Sequence, residues 1–367
     1  NHDHASLLSQ LWGIDIAPFP AELAVINLFR QNLTAAGNFP RIACRDLLSL
    51  KPGDTIPFPP PKMNVEHPER IEEPIPLFDA IVGNFPYVSG DQINQKDPGY
   101  LEIIRRTLIE GWLEKYPALF CYDNKSDQKT FENSIAAGIH AGSDRDRLRL
   151  CTSVYADLYV YLFFHAARFL KPGGRMGIIT SNAWLDVNFG YALQRFFCGQ
   201  FKIVAIIESR CEPWFTEAAV NTVFTIVERC ESEKERDRHL VKFVKIKRKL
   251  ADLVPGDPQI DAIKRWKRLR HLVDKIESAG RKDAKTVPLG VVTEEDDDLR
   301  IRVCRQGELR AELECAGKTV KWGKYLRAPQ VFLELSDQKV LCLLSQIAQV
   351  RRGSLTGINE FYHLTPE

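Results

Sequence analysis

The tetrad Asn84-Phe85-Pro86-Tyr87 closes the apolar run Ala80-Ile81-Val82-Gly83 and gathers residue types that can hold a planar, amino-bearing ligand. Proline fixes its own φ and pushes the residue before it into extended geometry, so Phe85 cannot join a helix and its carbonyl stays open to a donor. Asn84 adds a side-chain carbonyl and Tyr87 a flat aromatic face. Two acceptors beside a stacking surface suit an exocyclic amino group, one N–H meeting Asn84 and the other the Phe85 carbonyl, with the ring laid on Tyr87. No C-x-x-C pair or other cluster with metal-ligand spacing accompanies them, and no nuclease motif.

Such a turn needs a buried strand behind it, and the flanking sequence supplies an alternation of strands and helices. "LWGIDI" reads as a strand, "PAELAVINLFRQNL" as a helix and "PRIACRDLL" as a second strand. The Pro-rich stretch 51–76 reads as a surface connection. After "FDAIVGNFPY" and a polar insert to Leu150, "SVYADLYVYLFFHAARFL" predicts a long helix stopped by Pro172-Gly173-Gly174. "RMGIITSN", "FKIVAIIES" and "NTVFTIVERC" predict further strands, with a helix over "YALQRFFCGQ". The order predicts a Rossmann-like doubly wound α/β sheet, largely parallel and lacking its first strand, whose carboxyl ends carry the ligand site. "RIRVCRQGEL" and "QVFLEL" read as strands of a separate piece.

At 367 residues, 44% hydrophobic and 27% charged, the chain is long enough for two domains with real cores. No apolar run is long enough for a membrane-spanning helix, and nine scattered cysteines point to a reducing, cytoplasmic compartment. The net charge of +2 conceals a concentration of positive charge. Lys242 to Lys285 holds fourteen Lys or Arg against six Asp or Glu, with Trp266 among them. That density suits a phosphate backbone, and equally a solvated helix face with its own ion partners.

The tetrad resembles the Asn/Asp-Pro-Pro-Tyr/Phe motif of the N6-adenine DNA methyltransferases. Phe85 stands at the second position, which offers its backbone carbonyl; the related ribosomal-RNA adenine dimethyltransferases carry Leu or Ile there. From Leu11 to Arg229 the order of motifs is similar to that of large type II-G restriction-modification methyltransferases. The resemblance implies a class I S-adenosylmethionine-dependent methyltransferase acting on a flipped-out adenine of double-stranded DNA, with Asn84, Phe85, Pro86 and Tyr87 as the catalytic turn. It implies that Asp15 accepts from the cofactor ribose, Ile16 packs on its adenine, Asp46 accepts from the adenine amino group and Leu47 covers the ring. "SNAWL" would line the target-base pocket through Asn182 and Trp184, while Asp157 has a structural role at a helix end.

Three domains follow from this resemblance: a catalytic domain at 1–230 with an insert at 90–150, a basic connecting segment at 231–290, and the beginning of a target-recognition domain at 291–367. In the last, Gly353 and Gly357 fit tight turns, and Arg351 and Arg352 fit phosphates or guanines. The family's first motif, a strand ending in a Gly-rich turn around the methionine part of the cofactor, has no counterpart in the sequence. The expectation is a fragment of a longer enzyme, binding cofactor weakly by itself, with the insert folded over the catalytic mouth. An RNA adenine methyltransferase, a protein-glutamine methyltransferase and an inactive DNA-binding remnant remain alternatives.

Overall fold

The computed structural model describes residues 4–32, 40–58, 71–97, 99–122, 148–152, 156–215, 221–258, 260–280, 291–337, 341–342 and 344–349. Two compact units divide at Leu326/Arg327. In the first, β1 (Trp12–Asp15) leads through α1 (Pro18–Phe29) to β2 (Arg41–Cys44), and β1 and β2 pair in parallel as a sheet of their own. The Pro-rich stretch contains a second small sheet, β3 (Thr55–Phe58) antiparallel to β4 (Ile71–Pro74). Ile56, Phe58 and Ile75 are buried there against Phe169, so this connection also builds core.

The main sheet begins at β5 (Phe78–Asn84). The chain continues through α2 (Tyr100–Trp112), the short hairpin β6 (Phe120–Cys121) and β7 (Arg149–Leu150), α3 (Leu158–Ala166), β8 (Leu170–Ser181), α4 (Gly190–Gln200), β9 (Phe201–Ser209) and β10 (Thr222–Arg229). β11 (Leu240–Ile246), α5 (Ala262–Ser278), β12 (Val292–Glu295), β13 (Leu299–Arg305) and α6 (Gln306–Ala316) complete the fold. The seven-stranded order is β12-β13-β11-β9-β10-β8-β5. The fold is mixed α/β. The β5–β8 and β9–β11 pairs run parallel and the other adjacent pairs antiparallel, so the sheet is less parallel than the alternation predicts. β5 is an edge strand, and Val82 stands 83% exposed on it.

Several expectations change for identifiable reasons. Pro172-Gly173-Gly174 does not stop the helix, which ends earlier; these residues bulge out of β8, where Phe78 faces Leu170 and Ala80 already faces Arg175. Gly173 has a φ of +78°, a conformation the bulge requires and other residues resist. In the insert, Ile104, Leu108 and Trp112 of α2 are fully buried in the main core, and the Trp112 indole N–H donates to the Phe164 carbonyl at 2.7 Å. That helix is therefore a structural layer and not a lid; 123–147 lies outside the described residues. "QVFLEL" forms a helix, Gln330–Asp337, in the second unit.

The sheet also crosses the boundaries expected at 230 and 290, because β11 pairs with β9, and β13 with β11. Gln306, wholly buried, fastens the later segment in place. Its carbonyl accepts from the Ile203 N–H at 2.9 Å and its amide donates to the Phe201 carbonyl at 2.6 Å. The basic stretch is thus split between a sheet strand and α5. Leu272 and Ile276 of α5 pack on the face opposite the main core, and Trp266 is 62% exposed. Some of its charge is already paired, Arg270 with Asp274 at 3.0 Å, Lys264 with Asp261 at 3.5 Å and Lys275 with Asp296, while Lys267 and Arg268 project into solvent.

Two histidines couple this core to pH. His165, wholly buried, donates from Nε2 to the Leu50 carbonyl at 2.9 Å, and His239 donates to that of Ile203 at 3.1 Å; those acceptors assign the tautomers. Burial pushes each imidazole down to about 4, with Arg168 beside His165 and Lys242 beside His239 adding repulsion. The folded values lie below the ordinary 6.5, so the unfolded chain binds more protons between pH 4 and 6.5. This contribution is complete above pH 6.5 and lost as pH falls to about 4, on the order of 3 kcal/mol per histidine. Urea midpoints taken across that window should rise with pH, and His165→Gln should flatten the slope.

Candidate functional site

Asn84 ends β5 level with Ile179 of the parallel β8. The Phe85 N–H donates to the Ile179 carbonyl at 3.2 Å, and the Phe85 ring is buried edge-to-face on Phe163 at 5.3 Å. With amide and ring both committed, the turn is held rigidly and the Phe85 carbonyl takes no hydrogen bond from the described residues. Two helix starts clamp the chain beyond Tyr87. Ser89 opens the helix Gly90–Lys96 through a capping box with Gln92, and the Leu158 N–H at the head of α3 donates to the Val88 carbonyl at 2.8 Å.

The Asn84 side chain is exposed, and its Oδ1 accepts from the Tyr87 hydroxyl at 2.8 Å. Burial raises the Tyr87 pKa, so the phenol keeps its proton and donates. The Tyr87 ring meets Phe215 with centroids 6.5 Å apart and planes at 65°. Sequence reasoning missed Phe215 because the strand before it, β9, is not a neighbour of β5. For Phe215 to reach Tyr87, the loop after β9 crosses the ends of β10 and β8. The signal was an aromatic pair, Trp214-Phe215, standing in a loop after a strand end.

Asp15 and Asp46 lie at the carboxyl ends of the paired strands β1 and β2, and the Arg45 N–H donates to the Asp15 carbonyl at 2.9 Å. One Asp15 oxygen accepts from the Ala17 N–H at 2.8 Å, and Ile16 beside it is 66% exposed. Asp46 is more committed. It caps the turn at Leu47–Ser49 by accepting from the Leu48 N–H at 2.9 Å, and its second oxygen accepts from the Tyr100 hydroxyl at 2.8 Å. Burial and this bond to Asp46 raise the Tyr100 pKa, so the insert helix is tied to β2 through a protonated phenol. Leu47 packs between two cores and is only partly exposed.

Asn182 and Trp184 part company. Asn182 sits just past β8, where its amide donates to Glu208 at 2.8 Å. Trp184 is fully buried against Phe197 and Trp322, so it does not line a base pocket. The turn Asn182–Leu185 folds inward, and Gly190 permits this because a Cβ there would lie 1.8 Å from the Trp184 carbonyl oxygen. Asp157 precedes α3 without capping it, half-buried, its carboxyl raised by desolvation. Arg351, Arg352, Gly353 and Gly357 lie outside the described residues. No group of three or more potential metal ligands occurs among the described residues, and no helix among them is long and apolar enough to cross a membrane.

Residues 141–215, which reach from the approach to β7 as far as Phe215, match the family model described as "Eco57I restriction-modification methylase". No curated protein matches the chain. Among solved structures it is similar to the type IIG restriction endonuclease BpuSI, at 16% identity over 85% of this chain and 26% of that one, TM-score 0.49. It is also similar to the type I restriction enzyme EcoKI M protein, at 13% identity over 87% and 54% of the two chains, TM-score 0.40. A type I methyltransferase subunit from Streptococcus thermophilus matches at 13% identity over 86% and 48%, TM-score 0.41. The chain thus spans between about a quarter and about half of these solved chains. The segment that carries α3, β8, β9 and the aromatic Phe215 is thus the part of this chain that is similar to restriction-modification methylases of the Eco57I type.

Proposed function

We propose that the Asn84–Tyr87 turn serves transfer of a methyl group to the exocyclic amino nitrogen of an adenine flipped out of duplex DNA. The observation that carries this reading is the pairing, at the carboxyl end of β5, of two acceptors with two aromatic rings: Asn84 Oδ1 and the Phe85 carbonyl beside Tyr87 and Phe215. An amino lone pair delocalised into a purine ring is a weak nucleophile. Acceptors that hold both N–H bonds out of plane localise it without a general base. Tyr87 and Phe215 offer the flipped base replacement stacking. On approach of a base amino group, the Tyr87 hydroxyl must yield or share Asn84 Oδ1.

Asp15 and Ile16 suit S-adenosylmethionine, since Asp15 keeps an uncommitted carboxylate oxygen beside an exposed apolar side chain. That cofactor would supply the electrophilic methyl. Asp46 would use remaining lone pairs rather than a free oxygen. Lys264, Lys267 and Arg268 on α5 suit a phosphate backbone.

The reading is tested by offering the full-length protein an adenine-containing duplex, an RNA hairpin and a glutamine-bearing peptide, with labelled methyl donor. Label in adenine of the duplex supports it; label only in RNA or peptide overturns it. The rings give a second measurement. Phe215→Ala and Tyr87→Ala should each weaken binding of a duplex with a mismatched target base, by roughly 1 to 3 kcal/mol. Tyr87→Phe should bind at least as well as the parent, because it frees Asn84 Oδ1 while keeping the ring. A loss with Tyr87→Phe equal to that with Tyr87→Ala would remove the stacking role.

A further inference from the structure

β6 and β7 pair antiparallel, with Phe120 opposite Leu150 and Cys121 opposite Arg149. The ladder extends by one hydrogen bond, from the Cys151 N–H to the Leu119 carbonyl at 2.8 Å. Residues two apart on a strand share a face, so Cys121 and Cys151 project to one side of the hairpin on a diagonal. Both are reduced thiols of intermediate exposure, and the neighbouring Cys121 thiol is the first cause that raises the Cys151 pKa. Of the other seven cysteines, Cys198, Cys230 and Cys304 are buried, and Cys44, Cys211, Cys315 and Cys342 are exposed.

We propose that Cys121 and Cys151 form a dithiol site that a small disulfide, such as glutathione disulfide, oxidises to an intramolecular disulfide enclosing residues 122–150. The order of events follows from which thiol keeps its proton. The Cys121 neighbour first, and partial burial second, raise the Cys151 pKa, so Cys151 keeps its proton and Cys121 supplies the attacking thiolate. The positive charges of Arg195 and Lys318 act on Cys151 in the opposite sense, as lesser influences. Cys121 attacks one sulfur of the small disulfide, whose S–S bond breaks and releases one thiol. Cys151 then gives up its proton and attacks the Cys121 sulfur of the mixed disulfide, releasing the second thiol. Two protein thiols are oxidised and one small disulfide is reduced to two thiols.

Diagonal neighbours across a ladder have Cα atoms roughly 7 to 8 Å apart, whereas a disulfide closes at up to about 7 Å. Closure therefore moves the strand ends by about an ångström, a small shift for a ladder this short. The ends of the segment are anchored independently. Leu119 and Leu148 are buried, and Arg105 donates to the Leu148 carbonyl at 2.9 Å. Oxidation links two strands that are already paired and does not create the fold.

The whole protein, incubated with glutathione disulfide, alkylated and mapped by mass spectrometry without reduction, should yield a peptide pair joined through Cys121 and Cys151. Cys151→Ser should arrest Cys121 as a stable glutathione adduct, and Cys121→Ser should leave Cys151 alkylatable. A bond from either cysteine to Cys44 or Cys211, a persistent glutathione adduct on the parent, or full alkylation of both thiols would overturn the site. Adduct formation on Cys151 in Cys121→Ser would overturn the assigned order.

Discussion

If the turn acts as proposed, Asn84→Ala, made in the full-length protein, should lower the single-turnover rate of methyl transfer about a hundred-fold to a thousand-fold and leave S-adenosylmethionine affinity nearly unchanged. The size of the loss follows from what the side chain offers: one acceptor at the end of β5, aimed by the clamped turn, whose bond to the amino group strengthens as the nitrogen becomes pyramidal. Cofactor affinity is spared because Asp15 and Asp46 stand at the ends of β1 and β2, which form a separate sheet. Asn84→Asp should retain part of the rate, since an acceptor remains. Stability should barely move, because Asn84 is exposed and its one bond, to the Tyr87 hydroxyl, can be replaced by water. Rates from rapid-quench assays and titration calorimetry of the cofactor separate the two effects. Near-parental turnover in Asn84→Ala would reduce the tetrad to a turn.

The turn at Asn84–Tyr87 was legible because its geometry is local: a proline, the residue it constrains and two flanking side chains lie within one turn. The strands that lead to Asp15, Asp46 and Asn84 were legible for a similar reason, as short apolar runs with polar ends. What escaped depends on pairing between distant segments. No periodicity in "VKFVKI" tells that this strand docks beside β9, and no composition tells that the stretch after Asp298 completes the same sheet. A charge run suggests a connector, yet Lys242 is a buried strand residue. Gly173-Gly174 reads as a helix stop because helix ends and strand bulges both need glycine's freedom. Phe215 could not be joined to Tyr87 without knowing which strands lie between them.

Trp184→Ala separates the core reading from the pocket reading by what it damages. The side chain is fully buried and bridges Phe197, at 5.6 Å, to Trp322, at 6.1 Å, while Trp322 in turn packs on Phe243 of β11. It therefore joins the layer beneath β8 to the later strands, and its removal leaves a cavity lined by rigid rings that cannot collapse. Substitutions of this kind cost about 3 to 5 kcal/mol. For a domain of this size that amounts to a fall in Tm on the order of 10 °C. The indole N–H has no partner among the described residues, so Trp184→Phe gives up an unsatisfied buried donor along with some volume and should cost markedly less than Ala. Its neighbour behaves in the opposite way: Asn182→Ala, at the partly exposed rim, should leave Tm within about 2 °C of the parent. Differential scanning calorimetry on the three variants reads the contrast directly. If Trp184→Ala melted with the parent but lost affinity for a flipped base, the ring would belong to the pocket after all, and the inward fold of the Asn182–Leu185 turn would be wrong.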